Sequence, residues 1–407
     1  MPVIKYGTEM MSGGGDHVSV LCAVRQKLKA AAKAFGYKGL LPFLYRLYAR
    51  QPADPNLVVF ADNRDRPLPD NFEPLLKLCE ERGKTCVVLT GKDFRGIPAL
   101  IRFIRLYARC GVLFLTDFIA VTDVVPLRPE TQVVQLWHAC GLGKKWGYAV
   151  TSDTWGPGRR IREKYPMYVN QTLVSVSSDD PVLLESYRSA FGCAPETVRA
   201  LGVPRTDVFF DEAFRKAAAE KARALFPEAA GRKLVLFAPT FRGESIEESY
   251  YRLPLRLDAM KEALGEEYAL LLRLHPLTRR RAGVSAGDGF VFDTDGKLSM
   301  QEALCAADVL ITDYSSILFE YLLLNRPIIS FIPDLEQYTA DRGLFLPYEE
   351  MAPGPYVRTQ EELVEKLRTV SSWFDPDKQQ SYRTRFMSAC DGSSTERIYR
   401  EVFKEQS

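Results

Sequence analysis

Short runs of consecutive apolar residues, each ending abruptly at polar groups, recur along this 407-residue chain. Residues 57–61, 86–89, 112–115, 133–137, 173–177 and 198–201 read as strands. Helical periodicity fills 73–82 and 97–109, and 181–191 is a helix with Asp179 or Asp180 as its cap. A long Ala-, Lys- and Glu-rich helix is expected over about 207–225, closed by Pro227 and the loop 228–232. A second set follows, with strands at 234–238, 268–274, 290–292, 309–312 and 327–332 and helices at about 361–370 and 376–404. Apolar strands without alternation are those that parallel sheets cover on both faces. Strands alternating with helices in two consecutive sets imply an α/β protein of two Rossmann-like, doubly wound domains facing a central cleft. Their expected extents are 57–228 and 229–407, preceded by a separate segment over 1–56.

That first segment stands apart by its charge. No acidic residue lies between Asp16 and Asp54, whereas Arg25, Lys27, Lys29, Lys33, Lys38, Arg46 and Arg50 are interleaved with aromatics and leucines. Cations for anionic headgroups and rings for the acyl boundary are what an interfacial helix uses, so 1–56 is expected to be a basic amphipathic membrane-associating segment, split at Pro42. The alternative is a solvated helix face whose other side packs on the core. For a second such run, 97–109 with Arg102, Arg105 and Arg109, both readings stand.

Composition narrows the class. With 46% hydrophobic and 26% charged residues the chain is globular, and a net charge of +2 argues against a nucleic-acid binder. Eight cysteines without CxxC spacing read as reduced core thiols. Three histidines and no ligand-spaced pairs argue against a structural zinc site. The N-terminus lacks the apolar stretch of a signal peptide, and no apolar run is long enough to span a bilayer.

Candidate chemistry collects at the strand ends, the edge where open α/β sheets bind ligands. In QLWHACGLGKKWG, His138 leaves a strand for a glycine-bearing loop before Lys144 and Lys145, a setting for a general base. In ALGVPRTD, Arg205 either binds phosphate or pairs with a nearby acid. FAPTFRG places Thr240 and Arg242 after a strand, and an arginine there suits a phosphate. RLHP puts Arg273 within a strand and His275 at its end. In TDYSS, Asp313 precedes Ser315 and Ser316, whose amides would open the next helix toward an anion. Glu320 and Asp334 are candidates for sugar or polyol hydroxyls.

Together WHACGLGKKWG, LGVPRTD, APTFRG, RLHP, ITDYSSILFEYLLLNRPIISFIPDLEQY and DRGLFLPYEEMAPGP resemble, in order over about 57–405, the CDP-glycerol glycerophosphotransferases of teichoic acid synthesis. The resemblance implies a GT-B architecture, a nucleotide donor on the C-terminal domain and peripheral attachment to the cytoplasmic side of the cell membrane. It also implies CDP-glycerol or a similar CDP-polyol as donor and a polyprenyl-diphosphate-linked saccharide as acceptor. No DxD-like metal site stands out in the sequence, so no essential metal and no cofactor are expected. The histidines required for transfer fall on His138 and His275. Many members read WHG, and Ala139 after His138 followed by paired lysines is similar to primase-like members. In the expected mechanism His138 deprotonates the acceptor hydroxyl. His275, Arg242 and the amides at Ser315 and Ser316 stabilise the departing CMP, with Arg205, Thr240, Arg273, Asp313 and Glu320 completing the donor site. A GT-B glycosyltransferase using a UDP-sugar and a non-catalytic membrane scaffold are the alternatives.

Overall fold

The computed structural model describes residues 36–64, 67–150, 167–240, 242, 253–274 and 288–404. Two six-stranded sheets, parallel throughout, organise them. The first holds β1 (Asp54–Ala61), β2 (Thr85–Leu89), β3 (Cys110–Leu115), β4 (Gln132–Gln135), β5 (Leu173–Ser175) and β6 (Val198–Arg199) in the order β2-β1-β3-β4-β5-β6. The second holds β7 (Lys233–Ala238), β8 (Tyr268–Leu272), β9 (Val291–Asp293), β10 (Val309–Thr312), β11 (Ile328–Phe331) and β12 (Tyr356–Val357) in the order β12-β11-β10-β7-β8-β9. Every residue of β3, β8, β10 and β11 is buried, as strands covered on both faces require. The two doubly wound domains and the cleft between them agree with the architecture expected from the sequence.

Strand order locates the ligand edge. Counted from its own first strand, the second sheet runs 6-5-4-1-2-3, the dinucleotide-fold order, and reverses direction between β7 and β10. The first sheet reverses between β1 and β3. Both reversals open their carboxyl ends toward the same cleft, so residues 62–64, 116–117, 239–240 and 313–316 face it by topology alone.

Local signals explain most helix boundaries. Asp180 caps Pro181–Phe191 by accepting from the amides of Val182 and Leu183, and Gly192 ends that helix in the left-handed region. The long helix begins at Glu212 and not near 207, because Asp211 supplies the cap and Pro204–Phe210 is a 3₁₀ stretch. Asp207 instead accepts from the amides of Ser394 and Thr395, opening the last helix of the chain. The single helix expected over 376–404 is two, Pro376–Met387 and Ser394–Phe403, separated by a turn with Gly392 at φ 93°. The second of these returns to the first domain, where Ile398, Tyr399 and Val402 share a core with Val58, Phe60 and Phe114.

Residues 1–35 of the basic N-terminal segment lie outside the described residues. Its remainder forms a π-helical turn, Gly36–Leu40, and a helix, Leu41–Tyr48, with Pro42 in the first turn. Leu41 and Tyr45 are buried with Phe103, Ile104 and Tyr107 of the helix Ile97–Tyr107. Phe43, Leu47 and Ile97 are exposed.

Candidate active site

The cleft between the halves has a volume of about 570 Å³. His138 enters it because of what precedes it. β4 ends at Gln135, whose side-chain oxygen accepts from the Trp137 amide at 3.0 Å, and Trp137 then takes a φ of 53°. A bulky residue occupies that region only when its surroundings hold it there. Trp146 stacks on the Trp137 ring at 5.5 Å, Phe191 meets it edge-on at 5.2 Å, and the Asn71 amide donates to its carbonyl at 2.8 Å. The reversed backbone turns the next residue, His138, into the cleft.

One ring nitrogen of His138 has two competing partners. Nδ1 lies 3.1 Å from the Thr116 carbonyl and 2.8 Å from Nη2 of Arg64. The carbonyl can only accept and the guanidinium can only donate, so the two contacts demand opposite tautomers. A proton on Nδ1 satisfies Thr116 and presents Nε2 as an acceptor, the form a general base needs. Arg64 is held in place by Asp117, with Nε 2.5 Å from Oδ2.

The loop after His138 is fixed against the other half. Gly141 has a φ of 60°, and a Cβ there would lie 2.2 Å from the Phe319 ring, so no other residue fits. The amide of Lys145 donates to Gly343 O at 3.1 Å and that of Phe345 to Gly143 O at 3.0 Å, a short antiparallel bridge between the domains.

The opposing wall is built on Asp313, immediately after β10. Its fully buried carboxylate accepts from the Thr240 amide at 2.8 Å, the Thr240 hydroxyl at 2.7 Å and its neighbour's amide at Tyr314, which ties the ends of β7 and β10 together at the strand reversal. Arg242 donates to Asp313 at 2.9 Å and makes two bonds to Asp334, at 2.6 and 3.0 Å. Its guanidinium also lies about 5 Å over the rings of Tyr314 and Tyr338, which stack on each other. Arg242 is thus engaged behind Asp313, and the cleft is lined instead by Thr240, Arg273, Asp313, Ser315 and Ser316. Ser315 and Ser316 are half-buried at the start of Ile317–Leu322. That helix has only six residues, so it offers an anion its amides more than a macrodipole. Arg273 donates to the carbonyls of Thr294 and Leu298. Arg205 and Glu320 form a buried pair with contacts of 2.8 and 3.3 Å, in a smaller chamber that also touches His138. His275 lies outside the described residues.

Several cleft groups lie beyond the sequence reading. Arg64 follows β1 in the same strand-then-polar pattern that singled out the other motifs, and that rule finds it. Lys144 and Arg342 are further cations. Burial pushes the Lys144 ammonium down to about 7, with Arg342 and Arg242 adding to the fall and Asp313 opposing it. Among the described residues the cleft is lined by Arg64, Lys144, Lys145, Arg273 and Arg342 against one acid, Asp313, a balance that attracts a polyanion such as a diphosphate.

Residues 43–404 match the family model described as CDP-glycerol:poly(glycerophosphate) glycerophosphotransferase. The teichoic acid ribitol-phosphate primase of Bacillus spizizenii is 33% identical over 371 residues, covering 89% of this chain and 94% of that protein. The teichoic acid poly(ribitol-phosphate) polymerase of the same organism is 32% identical over 89% of this chain, which spans only 58% of its length. Among solved structures, the wall teichoic acid polymerase TagF superposes with a TM-score of 0.73 at 21% identity, covering 94% of this chain and 97% of that one, and therefore shares the fold. A TagF variant has also been solved after soaking with CDPG.

Proposed function

Since the chain belongs to the CDP-glycerol:poly(glycerophosphate) glycerophosphotransferase family, a teichoic acid family of transferases acting on CDP-activated polyol phosphates, we propose that it adds a polyol phosphate to a polyprenyl-diphosphate-linked saccharide and releases CMP. The carrying observation is the convergence of His138 with the Thr240–Asp313–Ser316 wall on one strongly basic cleft at two strand reversals. A primase-like role, adding the first unit, rests on Ala139 after His138 and on the paired Lys144 and Lys145 that follow.

In the proposed reaction the diphosphate sits among Lys144, Lys145, Arg273 and the amides at Ser315 and Ser316. Arg64 exchanges His138 for a phosphate oxygen, a stronger charge-assisted acceptor. Thr116 then fixes the Nδ1 proton, and Nε2 takes the proton of the acceptor hydroxyl as its oxygen attacks the β-phosphorus. The bond from that phosphorus to the CMP oxygen breaks, and the cationic lining disperses the departing charge. His275 is assigned to the same leaving side. Arg242 acts by holding Asp313. Arg205 and Glu320 belong to the donor site at its far end. No step requires a metal. Binding tests the donor class: CDP-glycerol or CDP-ribitol should raise the melting temperature with the logarithm of ligand concentration above Kd, and a UDP-sugar should not. The reverse ranking would support a UDP-sugar glycosyltransferase.

Lys144 gives this site a pH signature. A neighbouring diphosphate favours its charged form, so the donor-bound pKa lies above about 7. Binding near pH 7.5 should therefore take up protons, and affinity should weaken as pH rises through 7 to 9 by up to about tenfold per unit for one coupled proton. CDP-glycerol suits the measurement because its diester phosphates do not titrate there. Calorimetry in buffers of differing ionisation enthalpy reads the uptake, and Lys144→Met should flatten it.

Peripheral attachment to the cytoplasmic side of the membrane belongs to the same proposal. Among the described residues no helix is long and apolar enough to cross a membrane. Leu40, Phe43 and Leu47 lie at helical spacing on an exposed face beside Arg46 and Arg50. The protein should sediment with anionic liposomes and be partly released by high salt. Phe43→Glu with Leu47→Glu should abolish the salt-resistant part and lower activity on a lipid-linked acceptor while sparing a soluble short-chain acceptor. Equal loss on both acceptors would place these residues in the folding core.

A further inference from the structure

Behind His138 the main cleft continues into a second chamber of about 170 Å³ with the opposite character. Among the described residues its polar lining includes Asp70, Asn71, Thr116, Arg205, Gln301 and Glu320, two carboxylates against one guanidinium. Among the described residues the main cleft carries five cations against one acid. A phosphate is therefore drawn to the first space and repelled by the second, whereas a neutral polyhydroxyl group has partners in the second. The carboxylates keep acceptor capacity: Asp70 receives one bond from Gln301 at 3.0 Å and Glu320 receives two from Arg205, while each can accept about four. Apolar surface for a carbon skeleton comes from Trp137, Met300 and Ile317.

The two spaces share His138, Trp137, Met300, Ser316 and Ile317. A molecule with a diphosphate in one and a polyol in the other would thus have its β-phosphorus at the shared boundary, beside His138. We propose that this chamber is the polyol-recognition site of the donor and sets which polyol is transferred. The inference rests on the polyol-phosphate transfer proposed above. The chamber of about 170 Å³ has room for glycerol or ribitol, and the terminal unit of an acceptor is the competing occupant that the test below separates from it.

Asp70 and Gln301 come from opposite domains, as do Arg205 and Glu320, so the chamber exists only when the domains are apposed. Filling it with a polyol would then favour the closed arrangement in which His138 meets the phosphorus.

The test uses the full chain, both CDP-glycerol and CDP-ribitol, and two variants. Asp70→Asn keeps an acceptor for Gln301 but removes the charge offered to a hydroxyl, and Gln301→Met keeps the length of the side chain. Each should raise the donor KM about tenfold, the scale of a hydrogen bond lost to a charged or buried partner. Each should also change the ratio of kcat/KM between the two CDP-polyols. Inhibition by CMP, which has no polyol, should stay within about twofold, which also verifies the fold of each variant. An unchanged donor KM, or a rise confined to the acceptor KM, overturns the chamber assignment. So does a parallel loss of CMP affinity in both variants. A wild-type protein that turns over neither CDP-polyol overturns the transfer reaction itself, a result distinct from all of these.

Discussion

His138→Ala should lose transfer by about 10²- to 10⁴-fold in kcat, the range a positioned general base contributes, while donor binding changes little and the circular dichroism spectrum stays the same. The asymmetry follows from the position of the ring. His138 lies at the boundary between the cationic cleft and the polar chamber, oriented by the Thr116 carbonyl, and in the proposed reaction the diphosphate's partners are other residues. Its loss removes the proton acceptor without removing the anion site. Arg64→Ala provides a control of opposite kind: it relieves the competition for Nδ1 but removes a phosphate partner, so its main effect should be on donor KM. A His138→Ala enzyme with near-wild-type kcat would assign the proton transfer to another group.

The second large effect is on stability. Arg205→Met should destabilise the protein by about 3–5 kcal/mol in chemical denaturation, because it leaves the Glu320 carboxylate buried without its cation. Both side chains are nearly inaccessible, at 9% and 3% exposure, and the pair joins the two domains. The double variant Arg205→Met with Glu320→Gln removes both charges and should recover much of that loss. It should not recover donor affinity, since the chamber would then lack both ions. If Arg205→Met alone cost less than about 1 kcal/mol, the pair would be solvated and the chamber open to water.

How legible this was depends on the range of each interaction. Strands buried on both faces announce themselves locally, and β10 begins and ends where the apolar run Val309–Thr312 does. The strand-end rule likewise put His138, Thr240, Asp313, Ser315 and Ser316 on one edge, and they line one cleft. What the pattern did not carry was pairing between distant segments. Asp207 sits where the long helix is expected to begin, yet it serves a helix that starts at Ser394. Glu320 stands out as a candidate for polyol hydroxyls, but its partner Arg205, across the domain interface, is not legible. Asp70 and Gln301 belong to helix-opening stretches with no chemical signature, and only the apposition of domains makes them neighbours. Arg242 reads as a phosphate ligand at a strand end, whereas Asp334, ninety-two residues away, engages its guanidinium. The φ of Trp137, which aims His138, has no marker such as glycine to reveal it.

The central claim is that the cleft transfers a polyol phosphate from a CDP-polyol. Its most direct test is turnover of the purified protein on a lipid-linked saccharide acceptor, with CDP-glycerol, CDP-ribitol and UDP-sugars offered in parallel and each label followed. Acceptor-dependent release of CMP, with the polyol phosphate recovered on the lipid, is the result expected. Release of UDP with sugar on the lipid, or no nucleotide product from any donor in the presence of acceptor, would contradict it.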